Sequence, residues 1–280
     1  MRAVCVANEV PVVISTAEQL KSMNQWGYYV LGNDIDLAGT EWKDPADFSG
    51  YFDGQGYAIK NMNFVGTVEN TDFNWGLFNK ADGAIKNIAL CGRLIVTMNR
   101  TNTTNYQARV GGLCATAYDL NIESVANNVN LSVTNNCGDK AYAGGLVGYG
   151  ATVTITDSYN TGDVSASTTG DSSASAGGLV GYGYFAGTVT ITYSYNTGDV
   201  SASTTGDSNA DAGGLMGYCD YDGTVTITDC YYTLPENSSN NYGEKKSSVA
   251  EIVAIMENLW DSSVWDFDNL DENGNPTLRY

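Results

Sequence analysis

Tyrosine is the side chain in this sequence that is best placed to contact a ligand. Five tyrosines follow a recurring Gly-Leu-x-Gly motif or lie in the turn after it: Tyr149, Tyr182, Tyr184, Tyr218 and Tyr221. An exposed tyrosine ring buries a large area at low entropic cost, and its hydroxyl forms hydrogen bonds. These five residues are therefore the candidate binding residues for a protein or a sugar. A structural tyrosine stack that seals a corner is the alternative.

Catalysis has few candidates in this chain. The sequence contains no histidine, so it holds no Ser-His-Asp or Cys-His arrangement. A hydrolase needs converging carboxylates, and the nearest set is Asp34, Asp36 and Asp53, with Lys60 as a neighbouring base. Asp53 opens an Asp-Gly-Gln-Gly segment that is typical of a turn. We therefore predict a non-enzymatic protein, with a polysaccharide lyase or hydrolase as the alternative.

Aspartates recur at the spacing of a repeat. Asp163 returns as Asp199, and Asp171 returns as Asp207. If the repeats stack, each pair lies about 4.8 Å apart, where like charges repel unless water or a cation lies between them. Calcium binds clustered oxygens, but the sequence has no dense Asp-x-Asp-x-Asp loop. We expect solvated turn aspartates, no metal site and no cofactor, with calcium as the weaker alternative.

Threonine and asparagine are also repeated. The segment TVTIT occurs at 152–156, 188–192 and 224–228. If the Val and Ile of each segment point inward, the threonines form an outward grid, as expected for exposed strands. An ice-binding surface is the alternative interpretation of that grid. Asn160 and Asn196 predict a buried amide ladder, in which each side chain bonds to its counterpart in the next repeat.

The six cysteines show no Cys-x-x-Cys motif. Without histidine, they cannot form a mixed zinc site. Most are predicted to be small core or turn residues, with a disulfide as an open alternative. The six are Cys5, Cys91, Cys114, Cys137, Cys219 and Cys230.

The charge of the chain excludes several partners. The net charge is −19, from 32 acidic and 13 basic residues. Such a surface repels phosphate, so neither nucleic acid nor an anionic membrane surface is an expected partner. No apolar run predicts membrane insertion. The opening segment MRAVCVANEV is too short and too polar to form a whole signal peptide, so export is predicted from other features.

A repeated unit must position these side chains. The second glycine of a Gly-Gly pair falls at Gly112, Gly145, Gly178 and Gly214, in steps of 33, 33 and 36 residues. Each unit contains three short alternating stretches bounded by Gly, Asn, Asp and Thr, which indicates three strands. The fold class predicted is all-β: a right-handed parallel β-helix with three short strands per coil and a short helical cap at each end.

The repeat also predicts the core and the organisation of the chain. One column of isoleucines recurs through the array: Ile85, Ile122, Ile155, Ile191 and Ile227. The array is predicted to start near Trp75 and to run about five coils. We expect an N-terminal cap with first coils over 1–74, the repeats over 75–233 and a C-terminal cap over 234–280, in one continuous domain.

Two capping boxes predict the helices of the caps. Ser15 to Glu18 opens a helix that extends to about Trp26, with Ala17, Leu20 and Met23 facing inward. Ser248 to Glu251 opens a second helix, whose inward face is predicted to hold Val249, Ile252, Ile255, Met256 and Leu259. Three aromatic residues behind it are predicted to plug the open end of the solenoid: Trp260, Trp265 and Phe267.

The repeat resembles the GLUG family of bacterial surface and adhesin-like proteins. The resemblance is carried by GGLVGYG…VTITDSYNTGDVSAS, by the N-terminal ISTAEQLKSMNQWGYYVLGNDIDLAGTEW…FSGYFDGQGYAIKNM and by the tail VWDFDNLDENGNPTLRY. It covers residues 14–280. It implies a parallel β-helix, an extracellular or cell-surface location, and adhesion to a host or bacterial surface protein or glycan, with no catalytic residues to carry over. The coils of this chain are longer than the commonest spacing of the family.

Overall fold

A computed structural model describes residues 10–233 and 242–280. These residues form a parallel β-solenoid of about six turns, so the predicted fold class is confirmed. The predicted core or turn cysteine Cys5 lies outside the described residues. Two helices are present in the described ranges: α1 (Ala17–Lys21) and α2 (Val249–Leu259).

The strands follow one another in short segments, some of which bend from one side of the coil to the next. In chain order they are β1 Val12–Ile14, β2 Tyr28–Leu31, β3 Ile35–Asp36, β4 Phe48–Asp53, β5 Ala58–Glu69, β6 Phe73–Trp75, β7 Phe78–Asn99, β8 Tyr106–Gly111, β9 Cys114–Asn135, β10 Gly138–Gly144, β11 Val147–Thr156, β12 Tyr159–Asn160, β13 Val164–Thr168, β14 Ala174–Gly177, β15 Val180–Thr192, β16 Tyr195–Asn196, β17 Val200–Thr204, β18 Ala210–Gly213, β19 Met216–Cys219, β20 Thr224–Thr228, β21 Tyr231–Tyr232, β22 Glu244–Lys245, β23 Trp265–Asp266 and β24 Thr277–Leu278.

Two parallel sheets run along the solenoid. The main sheet has 17 strands, and a second sheet contains β6, β8, β10, β14 and β18. The remaining strands, β23 and β24, form an antiparallel pair near the C-terminus. Equivalent residues of successive repeats pair directly, so every repeated side chain becomes one member of a column along the solenoid.

The isoleucine column lies in the core, as predicted. Ile122 pairs with Ile155, which pairs with Ile191 on the next coil. These side chains are fully buried because alternate residues of a strand point to opposite faces. The asparagine ladder is also confirmed. Asn127 Nδ2 donates to Asn160 Oδ1, and Asn160 Nδ2 donates to Asn196 Oδ1, each at 2.7 Å.

The Gly-Gly pair is required by the close approach of successive coils. A β-carbon added at Gly145 would lie 2.0 Å from the carbonyl oxygen of Gly178 and 2.6 Å from the Asn160 side chain. No larger side chain fits there without moving the backbone of the next coil. The glycines therefore keep the coils in register beside the amide ladder.

Stacked coils are present within residues 1–74, before the repeats of similar sequence. β1 pairs with β2, β2 with β4, and β4 with β7, all in parallel. Parallel pairing therefore extends to coils that precede Trp75, near which the sequence repeats are predicted to start. The early coils differ in sequence from the later repeats, but aromatic residues such as Phe48 and Phe52 fill the same core.

The first helix is shorter than predicted and begins one residue later. Thr16, not Ser15, is the N-cap: its hydroxyl accepts from Gln19 N, and Gln19 Oε1 accepts from Thr16 N. The helix ends at Lys21 rather than near Trp26, whose side chain is exposed. Leu20 is buried, and Ala17 and Met23 pack partly against the core, as the inward face predicts.

The second helix is capped by Ser248, as predicted. Its buried residues are Ile252, Val253 and Met256, whereas Leu259 is 64% exposed and the prediction for that residue is wrong. The helix packs with its apolar face on one flank of the solenoid, and Leu259 lies on the opposite side.

The C-terminal segment does not plug the open end of the solenoid. Residues 249–280, which we call the C-terminal strap, lie along a flank and run back toward the N-terminal coils. Trp260 packs on Tyr231, Trp265 packs on Tyr195, and Tyr280 lies against Gly56. Phe267 is half-buried against the same cluster. The predicted plug of Trp260, Trp265 and Phe267 is therefore wrong.

The strap follows one outward column of the solenoid. The first three members of that column are alanines and the last three are tyrosines: Ala58, Ala89, Ala126, Tyr159, Tyr195 and Tyr231. These tyrosines and the strap tryptophans form a second hydrophobic cluster outside the main core. The aromatic flank gives the tryptophans an apolar surface to bury, which explains their position.

Candidate functional site

Three of the candidate tyrosines form a ladder outside the main core, buried at Tyr182 and half-buried at Tyr149 and Tyr218. Tyr149 pairs with Tyr182, and Tyr182 pairs with Tyr218, on three successive coils. Their ring centroids lie 5.5 and 5.7 Å apart. The repeated Gly-Leu-x-Gly motif positions them, because each tyrosine follows the motif at the same point of its coil. We call these three residues the groove ladder.

A fourth tyrosine, which sequence reasoning missed, packs across the groove ladder. Tyr142 lies on β10 of the second sheet, and its ring is 4.5 Å from that of Tyr182 and 5.6 Å from that of Tyr149. It pairs with Arg109 on one side and Ser175 on the other, so its column is not aromatic. No repeat or motif marks Tyr142, because its role depends on its position opposite the repeated tyrosines in the folded coil. We call the surface between Tyr142 and the groove ladder the tyrosine groove.

A polar cavity of about 180 Å³ lies at the C-terminal side of this groove. It is lined by tyrosines, hydroxyls, an amide, two carboxylates and one ammonium group. The lining residues are Lys140, Tyr142, Ser173, Ser175, Tyr182, Asn209, Asp211, Tyr218 and Asp220. Groups that donate and groups that accept hydrogen bonds therefore converge on one concave surface beside the tyrosine rings, and a polar ligand could bond to both kinds.

The other two candidate tyrosines are placed differently. Tyr184 is 47% exposed, and its ring lies 5.6 Å from that of Tyr149, so it extends the tyrosine groove. Tyr221 is 97% exposed and makes no ring contact with another residue in the described ranges. The structure thus brings four of the five candidates together and leaves Tyr221 apart.

The groove ladder presents edges and hydroxyls rather than ring faces. The planes of Tyr149 and Tyr182 are within 7° of parallel, so each ring covers a face of its neighbour. The free face of Tyr149 is covered by the guanidinium of Arg109, 5.0 Å from the ring centroid. A ligand in the groove therefore meets phenol hydroxyls and ring edges, and the exposed ring of Tyr184 adds an apolar surface.

The phenols of the groove are held in their protonated form. Burial raises the pKa of Tyr149 to about 12. Burial, followed by a hydrogen bond to Asp220, raises the pKa of Tyr182 still further, and burial does the same for Tyr142. These hydroxyls are consequently neutral at physiological pH and can donate hydrogen bonds to a ligand.

A second tyrosine ladder lies under the C-terminal strap. Tyr159 and Tyr195 stack at 4.9 Å with their planes 2° apart, and Tyr231 follows on the next coil. Tyr195 donates a hydrogen bond from its hydroxyl to the carbonyl of Pro276 at 2.6 Å. Trp265 packs on both stacked rings. We call Tyr159, Tyr195 and Tyr231 the covered ladder, because the strap buries it.

The N-terminal carboxylates make an ion pair and hydrogen bonds with neighbouring side chains and backbone groups. Lys60 Nζ lies 2.6 Å from Asp34 Oδ2, and Asn61 donates to Asp36 at 2.7 Å. Hydrogen bonds from Lys60 and Asn61 lower the pKa values of Asp34 and Asp36 respectively, which is opposite to what a general acid needs. Asp53 accepts from the backbone of Gln55 at 2.9 Å, as a turn requires.

The stacked aspartates connect successive coils. Asp163 Oδ1 accepts from Asp199 N at 3.1 Å, and Asp171 Oδ1 accepts from Asp207 N at 3.3 Å. Each carboxylate therefore satisfies a backbone donor of the next coil. Within residues 10–233 and 242–280, no group of three or more Cys, Asp or Glu residues is arranged to hold a metal ion. Calcium binding stays an untested alternative.

The remaining repeated residues have structural positions. The threonines of TVTIT face outward over three coils, and Thr156 and Thr192 share a hydrogen bond at 3.1 Å. The five described cysteines are free thiols, and burial raises the pKa of Cys230 to about 12. Ice binding stays an alternative for the threonine grid. Neither helix in the described part of the chain is long and apolar enough to cross a membrane.

A second cavity, of about 230 Å³, lies beside α1 in the N-terminal coils. Its apolar lining includes Leu20, Trp42, Phe48 and Phe78. Phe78 belongs to a repeated column, since it pairs with Cys114 on the next coil, but Leu20 and Trp42 do not repeat, so the sequence periodicity alone does not indicate the cavity.

The fold and the groove define a parallel β-solenoid with an aromatic groove beside a polar cavity. Two solved structures share this fold. A Bacteroides ovatus protein provisionally named as an immunoglobulin A1 protease matches with a TM-score of 0.60 and 20% identity, over 96% of this chain and 92% of the other. A protein named IgA1 protease matches with a TM-score of 0.54 and 21% identity, over 83% of this chain and 20% of the other. The sequence matches no family model and no curated protein, so the GLUG resemblance stays a prediction.

Proposed function

We propose that this protein is a non-enzymatic, exported bacterial surface module that adheres to a glycan through the tyrosine groove. The observation that carries the proposal is the difference between the two tyrosine ladders. The chain covers one ladder with its own strap, whereas the groove ladder borders the polar cavity and keeps Tyr149 and Tyr218 partly exposed.

The chemistry of the groove fits a sugar better than an apolar partner. Sugar hydroxyls donate and accept, and the cavity offers both functions through Ser173, Asn209 and Asp220. The hydroxyls of Tyr182 and Tyr218 add donors at the edge of the ladder. Tyr184 supplies an exposed ring on which the apolar face of a sugar can pack.

The proposal predicts glycan binding that depends on the groove. The whole chain is applied to a glycan array, and the affinity for a positive glycan is then measured by calorimetry. Tyr218→Phe removes one hydroxyl and should weaken binding about 2- to 10-fold, the equivalent of one hydrogen bond. Tyr57→Phe, on an exposed tyrosine outside the groove, is the matched control and should bind like the parent.

Two further variants define the extent of the site. Tyr184→Ala should weaken binding, since its ring adjoins the ladder. Tyr221→Ala tests the inserted turn: a loss would extend the site to that turn, and equal binding would confine the site to the groove. Absence of glycan binding, or binding that neither Tyr218→Phe nor Tyr184→Ala alters, would overturn the proposal.

Proteolysis is the competing function, since the two similar structures carry protease names. The sequence has no histidine, and the buried thiols Cys114 and Cys230 have raised pKa values, which disfavours a thiolate nucleophile. We expect immunoglobulin A1 to remain intact on a gel after incubation with the chain. Cleavage by the purified chain would contradict the non-enzymatic assignment.

A further inference from the structure

Arg109 lacks the partner that an arginine in this chain would be expected to find. The chain has 32 acidic residues against 13 basic ones, yet none of the ion pairs among the described residues includes Arg109. Among the described residues, its guanidinium makes one hydrogen bond, from Nη2 to Gln107 Oε1 at 2.5 Å, and its Nε is buried without a partner. Most of the five N–H donors of the guanidinium are therefore unused.

The position of Arg109 places these donors at the end of the groove ladder. The guanidinium lies over the face of Tyr149, and Arg109 pairs with Tyr142 on the neighbouring strand of the second sheet. Stacking on the ring and the bond to Gln107 hold the side chain, so little entropy is lost when it binds a ligand. A planar guanidinium held in this way is suited to a carboxylate, which it can contact through two parallel hydrogen bonds.

Positive and negative side chains lie toward opposite ends of the groove. Lys140, which is exposed and lines the cavity, also forms no ion pair in the described part of the chain. The carboxylates of Asp211 and Asp220 lie at the opposite, C-terminal end. An anionic group is therefore attracted to the end of the groove at Arg109 and repelled from the other end, despite the negative charge of the whole chain.

We propose that the tyrosine groove contains a carboxylate subsite formed by Arg109 and supported by Lys140, and that its ligand is an acidic glycan. The acidic sugar lies at the Arg109 end, and a neutral sugar lies in the cavity between Ser173 and Asp220. Arg109 and Ser175 are two coils apart, about 10 Å along the axis, so the ligand spans at least two sugar residues. This inference rests on the proposed glycan-binding function.

The test compares three ligands on the whole chain by calorimetry. They are an oligosaccharide that contains uronic acid, the same oligosaccharide with its carboxyl groups reduced to alcohols, and a sulfated oligosaccharide of equal length. We expect the uronate to bind best, the reduced form to bind about 10- to 100-fold more weakly, and salt to weaken only the binding of the charged ligands. Equal affinity for the sulfated ligand and the uronate would mean that the subsite binds anions in general. That result would overturn the carboxylate assignment.

Variants at Arg109 connect the preference to this residue. Arg109→Gln should remove the preference for the uronate. Arg109→Lys should keep part of that preference, because the positive charge remains although the bidentate hydrogen bond is lost. Arg93→Gln removes one exposed positive charge on β7 and is the matched control. Circular dichroism of each variant checks that the solenoid is folded. If Arg109→Gln does not fold, the loss of preference is tested with Arg109→Lys alone.

The outcomes separate the two proposals. Equal binding of the uronate and its reduced form, or an equal effect of Arg93→Gln and Arg109→Gln, would overturn the carboxylate subsite and leave the glycan-binding function standing. Failure of all glycans to bind, acidic and neutral alike, would instead overturn the proposed function itself.

Discussion

The two tyrosine ladders have the same repeat, the same residue and nearly the same stacking, but different surroundings. In the covered ladder, Tyr159 and Tyr195 stack at 4.9 Å beneath Trp265. In the groove ladder, Tyr149 and Tyr182 stack at 5.5 Å beside Arg109 and a polar cavity. The chain contributes a cover of its own to the first ladder and leaves polar groups around the second.

This difference indicates how a repeat can serve both stability and binding. A column of aromatic residues on the outside of a solenoid forms an apolar surface. Such a surface is buried either by another segment of the chain or by a binding partner. The covered ladder and the strap bury each other, so their contribution is to stability. The groove ladder keeps its hydroxyls near Lys140, Asp211 and Asp220, where burial by an apolar segment of the chain would leave charges without water.

The strongest test of the comparison is to remove the cover. Trp265→Ala deletes a fully buried ring that packs on Tyr159 and Tyr195, and should lower the free energy of unfolding by about 3–5 kcal/mol. Tyr218→Ala truncates a half-buried ring of the groove ladder and should cost about 1 kcal/mol. Urea denaturation measures both. Equal losses would show that the two ladders contribute equally to stability and would refute the distinction.

A smaller test isolates one hydrogen bond. Tyr195→Phe keeps the ring but leaves the Pro276 carbonyl without its donor, and should cost about 1 kcal/mol of unfolding free energy. Tyr218→Phe, the groove variant used in the binding test, should change stability by no more than about 0.5 kcal/mol. A destabilisation by Tyr218→Phe as large as that by Tyr195→Phe would mean that its hydroxyl has a structural role, which would weaken its use as a binding probe.

The smallest expected effect concerns the pKa values of the tyrosines in the two ladders. Burial raises the folded-state pKa of Tyr149 to about 12 and that of Tyr195 well above its ordinary value near 10. Stability from Tyr149 is therefore complete below about pH 10 and is lost as the pH rises through about 12. In a titration of phenolate absorbance, Tyr149→Phe should remove a step near pH 12. A missing step near pH 10 instead would contradict the burial of Tyr149.

Much of the fold could be predicted from the sequence because the solenoid stacks identical positions. Ile155 and Ile191 are in register, and the Asn160 and Asn196 ladder forms, since each depends only on equivalent residues of adjacent repeats. The position of Trp265 depends on a segment that does not repeat, and no periodicity indicates which surface it covers. The predicted plug failed for that reason.

The candidate site shows the same limit. The groove ladder could be predicted as a column because Tyr149, Tyr182 and Tyr218 recur. Tyr142 and Arg109 could not, because they lie in one column with each other and with Ser175, so that the column has no common chemistry. They reach the ladder from the second sheet, across the bend at the Gly-Gly pair, and that geometry is a property of the whole coil.

The strap has a consequence for how the chain is made. A ribosome synthesises the coils in order, and each new rung can dock on the one before it without waiting for the rest. The covered ladder is an exception, because Trp265 and the segment that lies beside Gly56 emerge after the coils that they cover. Until the strap has emerged, the aromatic flank of the nascent solenoid is uncovered. A shortened product that ends before the strap would therefore form its coils but expose an aromatic surface. Such a product would tend to aggregate and would be a substrate for chaperones.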